Sequence, residues 1–204
     1  MITLLIILAE KGLLPDAIIR LGIRRLCSQR LEEAKSLNEA EMEQKHTAWI
    51  NVLKESPIAL VPEKANEQHY EVPPRLFELV LGNKLKYSSG LWPEGVSSLD
   101  ESEVAMLKLT VERAGLVDGQ DVLELVCGWG SLTLYMAEHF PKSKITVVSN
   151  SNDQRQFIET RCEESNFKNV EIITADMNDF NTTKLFDRVV SIEMFEHMRN
   201  YERL

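Results

Sequence analysis

The stretch LELVCGWGSL, residues 123–132, decides the fold. An apolar run stops at two glycines, Gly128 and Gly130, separated by a tryptophan, and a helix-like pattern begins at Ser131. A strand therefore enters a tight turn and the chain leaves it as a helix. Glycines in such a turn let backbone approach a ligand closely, and the new helix offers N–H groups that have no partner inside it. In open parallel sheets ligands sit beyond the carboxyl ends of the strands, at the switch point beside the first one. The spacing is G-x-G rather than G-x-G-x-x-G, and no G-K-[ST] follows, so neither a dinucleotide fingerprint nor a triphosphate loop is present. Val126 occupies a place where such turns favour a third glycine.

Downstream the chain alternates. DVLELV (121–126) reads as a strand, Ser131 to Phe140 as a helix closed by Pro141, and KITVVS (144–149) as a second strand. A helix over Asn152–Ser165, a strand at VEIIT (170–174), a strand at DRVVSI (187–192) and a last helix from near Phe195 follow. Runs rich in Val and Ile separated by helices predict a parallel sheet covered on both faces. Four strands in the order 3-2-1-4 would leave DRVVSI as an apolar edge of the kind that invites association. A fragment, a short isoform or half of an assembly is expected on that ground, with a homodimer as one way to cover the edge.

Upstream, Asp100 reads as a helix N-cap with Glu103 in the capping-box position. Val104, Leu107, Val111 and Ala114 give that helix its apolar stripe, ended by Gly115. Residues 56–98 carry five prolines and little periodicity; so long an irregular segment is usually functional. Its aromatics, His69, Tyr70, Phe77, Tyr87 and Trp92, argue against disorder. Residues 1 to about 55 read as helices, with a stop at Gly12, a restart at Pro15–Asp16 and one long exposed helix over 28–48. The expected division is a helical extension with a lid-like segment (1–98) and a partial nucleotide-binding-type sheet (99–204).

The formal net charge of −9, from 32 acidic and 23 basic residues, argues against nucleic acid, which calls for a basic face. Arg20, Arg24, Arg25 and Arg30 read as a solvated helix face. Cys27, Cys127 and Cys162 lack CxxC spacing and read as free thiols in a reducing compartment; no metal-ligand spacing is present. The apolar start MITLLIILAE has no basic leader or cleavage site and is too short to span a bilayer, so a buried helix in a cytoplasmic protein without stable membrane insertion is expected.

Three further places could carry chemistry. After the second strand, Ser149, Asn150 and Gln154 could hold ribose hydroxyls with neutral groups, although Ser151 and Gln154 also fit a capping box. After the third, Asp176 could accept from an adenine amino group or simply initiate a turn. After the fourth, SIEMFEHM brings Glu193, Glu196 and His197 onto one face if a helix begins there. A carboxylate beside an imidazole provides an orienter and a general base near neutral pH.

Together these pieces resemble the class I methyltransferases of the cyclopropane-fatty-acid synthase type, and among them the coclaurine N-methyltransferase branch. The resemblance runs from LLPDAIIRLGIRRL (13–26) through ANEQHYEVPPRLFELVLG, LKYSSGLW and LDESEVAMLKLTVERAGL to SIEMFEHMRNY (191–201). CGWGSL, NEQHYEVP and EMFEHM are its most specific strings. It implies an α/β fold, a Rossmann-like class I methyltransferase sheet lacking its C-terminal part behind an N-terminal helical extension. It also implies S-adenosyl-L-methionine as cofactor and N-methylation of a small aromatic or alkaloid-like amine. Tyr87 and Ser88 would then meet the methionyl end, Gly128 and Gly130 pass under the methionyl and ribose groups, Gln154 hold the ribose, and Asp176 and Met177 flank the adenine. Glu193, Glu196 and His197 would face the substrate and take the amine proton. The alternatives are a lipid-modifying, cyclopropane synthase-like methyltransferase and a truncated, inactive paralogue. Where the family carries glycine this chain has Val126, so a left-handed or crowded β-branched residue is expected there, at a cost of about 1–2 kcal/mol.

Overall fold

The computed structural model describes residues 2–35, 38–60 and 73–204, which gather into two compact units, Met1–Leu53 and Lys54–Leu204. The string NEQHYEV, with His69 and Tyr70, lies outside the described residues.

The first unit is helical: α1 (Ile2–Glu10), α2 (Asp16–Lys35) and most of α3 (Glu39–Glu55). Gly12 ends α1 at φ +66, where only glycine is unstrained. Leu5, Ile6 and Ile7 are exposed, so the expectation of a buried first helix is corrected: no described apolar face covers them. The long helix expected over 28–48 is instead two. Asn38 starts α3 with a reciprocal cap, its side chain accepting from Glu41 N at 2.9 Å while its own N–H donates to Glu41 Oε2 at 2.9 Å. The arginines of α2 lie on an exposed face, Arg30 pairing with Glu33 at 3.1 Å.

The second unit is built on four parallel strands, β1 (Asp121–Leu125), β2 (Lys144–Ser149), β3 (Val170–Thr174) and β4 (Arg188–Ser191), in the order β3-β2-β1-β4. Alternation sends Val122, Ile145, Val147 and Val190 to one face, where they pack with Leu107 and Val111 of α5 (Leu99–Arg113), Leu132 and Met136 of α6 (Ser131–His139) and Ile158 of α7 (Asn152–Glu164). Leu123 and Val148 point the other way, onto Ala59, Met177, Met194 and Met198. Both faces are covered, as expected, but helices take one and irregular chain the other. The crossover from β3 to β4, residues 175–187, contains no helix. It carries the chain from one side of β1 to the other and creates the switch point there.

Two helix starts differ from expectation. The cap of α5 is Ser98, with Glu101 completing the box, rather than Asp100 with Glu103. Asp100 and Glu103 are instead spent on the preceding segment. Glu103, 1% exposed, accepts from the backbone N–H of Gly82, Lys84 and Lys86 at 2.9, 3.0 and 3.3 Å, and Asp100 accepts from Asn83 N at 2.6 Å. A Cβ on Gly82 would lie 2.6 Å from Asp100 Oδ1, and one on Gly90 would lie 2.6 Å from Ser102 Oγ, so both glycines are required by close approach. Residues 82–91 thus form a strap laid along the first turns of α5, after the short helix α4 (Pro74–Val80). The helix expected from Phe195 is only a 3-10 turn, Phe195–His197. Tyr201 donates from its hydroxyl to Phe195 O at 2.8 Å, and Asn200 to Lys54 O and Ser56 O, which ties this end of the chain down without a helix.

Candidate functional site

The turn after β1 is made by left-handed backbone: Val126 at φ 58, Gly128 at φ 56 and Gly130 at φ 79. Val126 N–H donates to Val148 O at 2.9 Å, extending the ladder one residue past β1. The expected strain at Val126 is therefore present, since a β-branched residue in this region is costly. The two glycines differ in what they serve. A Cβ on Gly128 would meet nothing within 4 Å, whereas one on Gly130 would lie 2.7 Å from Ile158 Cγ1. Gly130 lets α6 start tight against α7, and Gly128 opens onto a cavity.

That cavity, about 430 Å³, lies at the switch point. Its lining comes from the strap (Leu85, Lys86, Tyr87, Ser88), the turn after β1 (Val126 to Trp129, Ser131 and Leu132) and the loop after β4 (Ile192, Glu193, Glu196, His197), with Glu124 of β1 and Leu107 and Thr110 of α5 behind them. Among the described residues four non-glycines have positive φ, and three of them, Leu85, Val126 and Glu193, line this one cavity. Strained backbone persists where surrounding structure over-determines it and gathers at ligand sites.

Six of the ten residues singled out in the sequence meet here: Tyr87, Ser88, Gly128, Glu193, Glu196 and His197. Glu193, Glu196 and His197 do so without a shared helix face, because the left-handed Glu193 turns the chain and the 3-10 turn presents the other two. Gln154 is 2% exposed; its Oε1 accepts from Ser149 Oγ at 2.8 Å and its backbone N–H donates to Ser151 Oγ at 3.4 Å, while its Nε2 has no partner. Asp176 accepts from Asn178 N at 2.7 Å, the turn-initiating bond, and Met177 is buried against Leu123 and Val148. Gly130, Gln154, Asp176 and Met177 are not part of the cavity lining.

Two ionisable residues of the lining escape a reading of pattern alone. Glu124, 3% exposed on β1, accepts from Thr133 Oγ1 of α6 at 2.6 Å, and burial pushes its carboxyl up to about 7. Its signal was an acidic residue inside an apolar strand run. Lys86, 7% exposed, has its ammonium pulled below the ordinary lysine range by burial, opposed by the charges of Glu193 and Glu103. A lysine beside Leu85 in KLKY carries no sequence signal of burial. Burial and then the charge of Glu124 hold the Cys127 thiol well above its ordinary range, so it stays protonated. All three cysteines are free, and among the described residues no group of three or more His, Cys, Asp and Glu is arranged to hold a metal. No described helix is long and apolar enough to cross a membrane.

The mycolic acid cyclopropane synthetase family model matches residues 61–204. The chain belongs to that family. Within it, (S)-coclaurine N-methyltransferase of Thalictrum flavum subsp. glaucum is 39% identical over 96% of this chain and 54% of its own length. A crystal structure of coclaurine N-methyltransferase bound to N-methylheliamine and SAH superposes with a TM-score of 0.88, at 37% identity over 98% of this chain and 58% of that one. Mycolic acid cyclopropane synthase complexed with SAH and CTAB is similar over 67% of this chain and 47% of its own, at 26% identity and a TM-score of 0.58. The chain spans about half the length of the curated relatives it matches. The sheet order β3-β2-β1-β4 is that of the Rossmann-like class I methyltransferase fold expected from the family resemblance.

Proposed function

We propose that the cavity at the switch point binds S-adenosyl-L-methionine and that the protein serves N-methylation of a small aromatic amine. The observation that carries this is the convergence of strap, glycine turn and post-β4 loop on one cavity that brings Tyr87, Ser88 and Gly128 beside Glu193, Glu196 and His197. About 430 Å³ falls in the range of small-molecule sites. The residues present fit the donor. Gly128 leaves open space where a side chain would sit, and Gln154, buried in the first turn of α7 after β2, keeps an unpartnered Nε2 of the kind that could donate to a ribose hydroxyl. Tyr87 and Ser88 meet the methionyl end, Gly128 and Gly130 frame the turn beneath it, and Asp176 and Met177 bound the adenine side after β3. N-methyltransferases are similar to this chain over 96% of its length, against 67% for a cyclopropane-fatty-acyl-phospholipid synthase, which favours an amine over a lipid acceptor.

When bound, S-adenosyl-L-methionine supplies a methyl group on a sulfonium sulfur. The chain's part is to present an amine lone pair in line with it. Secondary amines are mostly protonated near neutral pH, so an imidazole ring nitrogen of His197 accepts that proton, while the carboxylates of Glu193 and Glu196 orient the ring and attract the cationic amine. General-base help of this kind is worth roughly 10²–10⁴-fold, and fixing both reactants can contribute on the order of 7–11 kcal/mol. The net charge of −9 suits a cationic acceptor better than an anionic lipid surface.

Calorimetric titration with S-adenosylhomocysteine tests the donor site. Binding is expected, and Val126→Gly, which clears a β-branched side chain from the cavity wall, should tighten it by up to about tenfold, the equivalent of about 1.4 kcal/mol of relieved crowding. No binding by either chain at millimolar ligand would overturn the enzymatic reading in favour of an inactive paralogue.

A further inference from the structure

Lys86 is the cavity's buried cation, and it belongs to neither set of residues assigned above. Its backbone N–H is held by Glu103 at 3.3 Å, on the strap that Glu103 and Asp100 fasten to α5. Its ammonium donates to Ser88 Oγ, at the donor end of the cavity. Glu193, on the acceptor side, lines the same cavity as Lys86 and Ser88 and attracts the ammonium without an ion pair within 4.0 Å, and Glu103 lies behind it. One side chain therefore touches a residue assigned to the donor and attracts a residue assigned to the acceptor.

We propose that Lys86 is a positioning residue that couples the two ends of the cavity, its ammonium fixing Ser88 and Glu193 in one register so that occupation of the donor end organises the acceptor end. The proposal rests on the donor-site assignment made above. Three features make Lys86 suited to this. It is 7% exposed, so its charge is poorly screened by solvent. Its backbone is anchored by a carboxylate that is itself 1% exposed, so the ammonium swings from a fixed base. Its neighbour Leu85 at φ 49 and Glu193, across the same cavity, at φ 54 are both left-handed, and left-handed non-glycine backbone is kept only where the surroundings impose it. A point charge on a flexible stem with three donors can serve Ser88 and Glu193 together.

The test is a set of calorimetric titrations with N-methylheliamine, with and without saturating S-adenosylhomocysteine, on the full 204-residue chain, Lys86→Met and Lys86→Arg. In the parent, the donor product should tighten amine binding by about fivefold or more, the lower end of ordinary coupling. Lys86→Met should bring that ratio to within about twofold of unity, and Lys86→Arg, which keeps the charge, should retain most of it. A purely structural lysine would weaken each ligand alone and leave the ratio intact, so coupling that survives in Lys86→Met overturns the proposal. So does a parent that binds S-adenosylhomocysteine but not the amine, or both without coupling. A parent that binds neither ligand brings down the donor-site assignment itself, which is a different result. If Lys86→Met fails to fold because Glu103 and Glu193 lose their cation, Ser88→Ala breaks the same link without burying a lone charge; coupling lost there supports the proposal and coupling kept overturns it.

Discussion

Single residues decide how this cavity behaves. Val126 was legible as a conflict from sequence alone, since a β-branched side chain stood where the turn wants glycine, and φ 58 confirms it. Glu124 was visible in the same ten residues but not readable, because strand alternation does not say whether a buried carboxyl is charged. Its surroundings do. Burial raises it from about 4.5 to about 7, partly offset by the Thr133 hydroxyl, and the thiol of Cys127 is the other titratable group facing it. The folded state thus holds the proton more tightly than the unfolded chain. Stability from that proton is complete below about 4.5 and is lost as pH rises through about 7. Glu124→Gln should remove this dependence. Melting followed across that range should show the parent losing on the order of 3 kcal/mol relative to the variant. Parallel curves for the two proteins would mean that Glu124 is charged in the fold.

At the scale of elements, periodicity revealed regular structure and missed what holds irregular structure. The strands at Lys144–Ser149 and Val170–Thr174 were readable to the residue, because runs of Val and Ile bounded by helices have few other solutions. The strap 82–91 was not, because its order comes from side chains of α5, which lies later in the chain. Glu103 looked like half of a capping box, yet its two oxygens serve three N–H groups of the strap. Glu193, Glu196 and His197 line one cavity although the helix invoked for them does not form, because a left-handed residue followed by a 3-10 turn also brings them there. Glu103→Gln replaces one acceptor of the strap by a donor that opposes the Lys84 N–H. A charge-assisted hydrogen bond is worth about 1.5–3 kcal/mol, so denaturant unfolding should show a loss of that size with the slope unchanged. An unaltered midpoint would show that the strap is held by packing of Phe77, Leu85 and Trp129 instead.

For the whole molecule, the sequence pattern yields the order β3-β2-β1-β4, and that order fixes both the cavity and an edge. The chain crosses from β3 past β1 to β4, which opens the switch point where the cavity lies and leaves β4 with one neighbour among the described residues. Val189 on β4 is 59% exposed, and Leu185 just before it is 89% exposed. A strand edge with apolar side chains is a template for another chain, and the surplus of negative charge opposes that pairing. Self-association through β4, the homodimer expected from sequence, therefore competes with charge repulsion and should strengthen as salt rises and screens it. Val189→Glu adds a carboxylate to the edge itself and raises the net charge from −9 to −10. Sedimentation velocity over a concentration series should show the parent associating more in high salt than in low, and Val189→Glu associating less than the parent in both. Because Val189 is exposed, the melting midpoint should move by no more than about 0.5 kcal/mol would produce. Association that is unchanged by the carboxylate would place the contact elsewhere, with the exposed apolar face of α1 and α2 the next surface to alter.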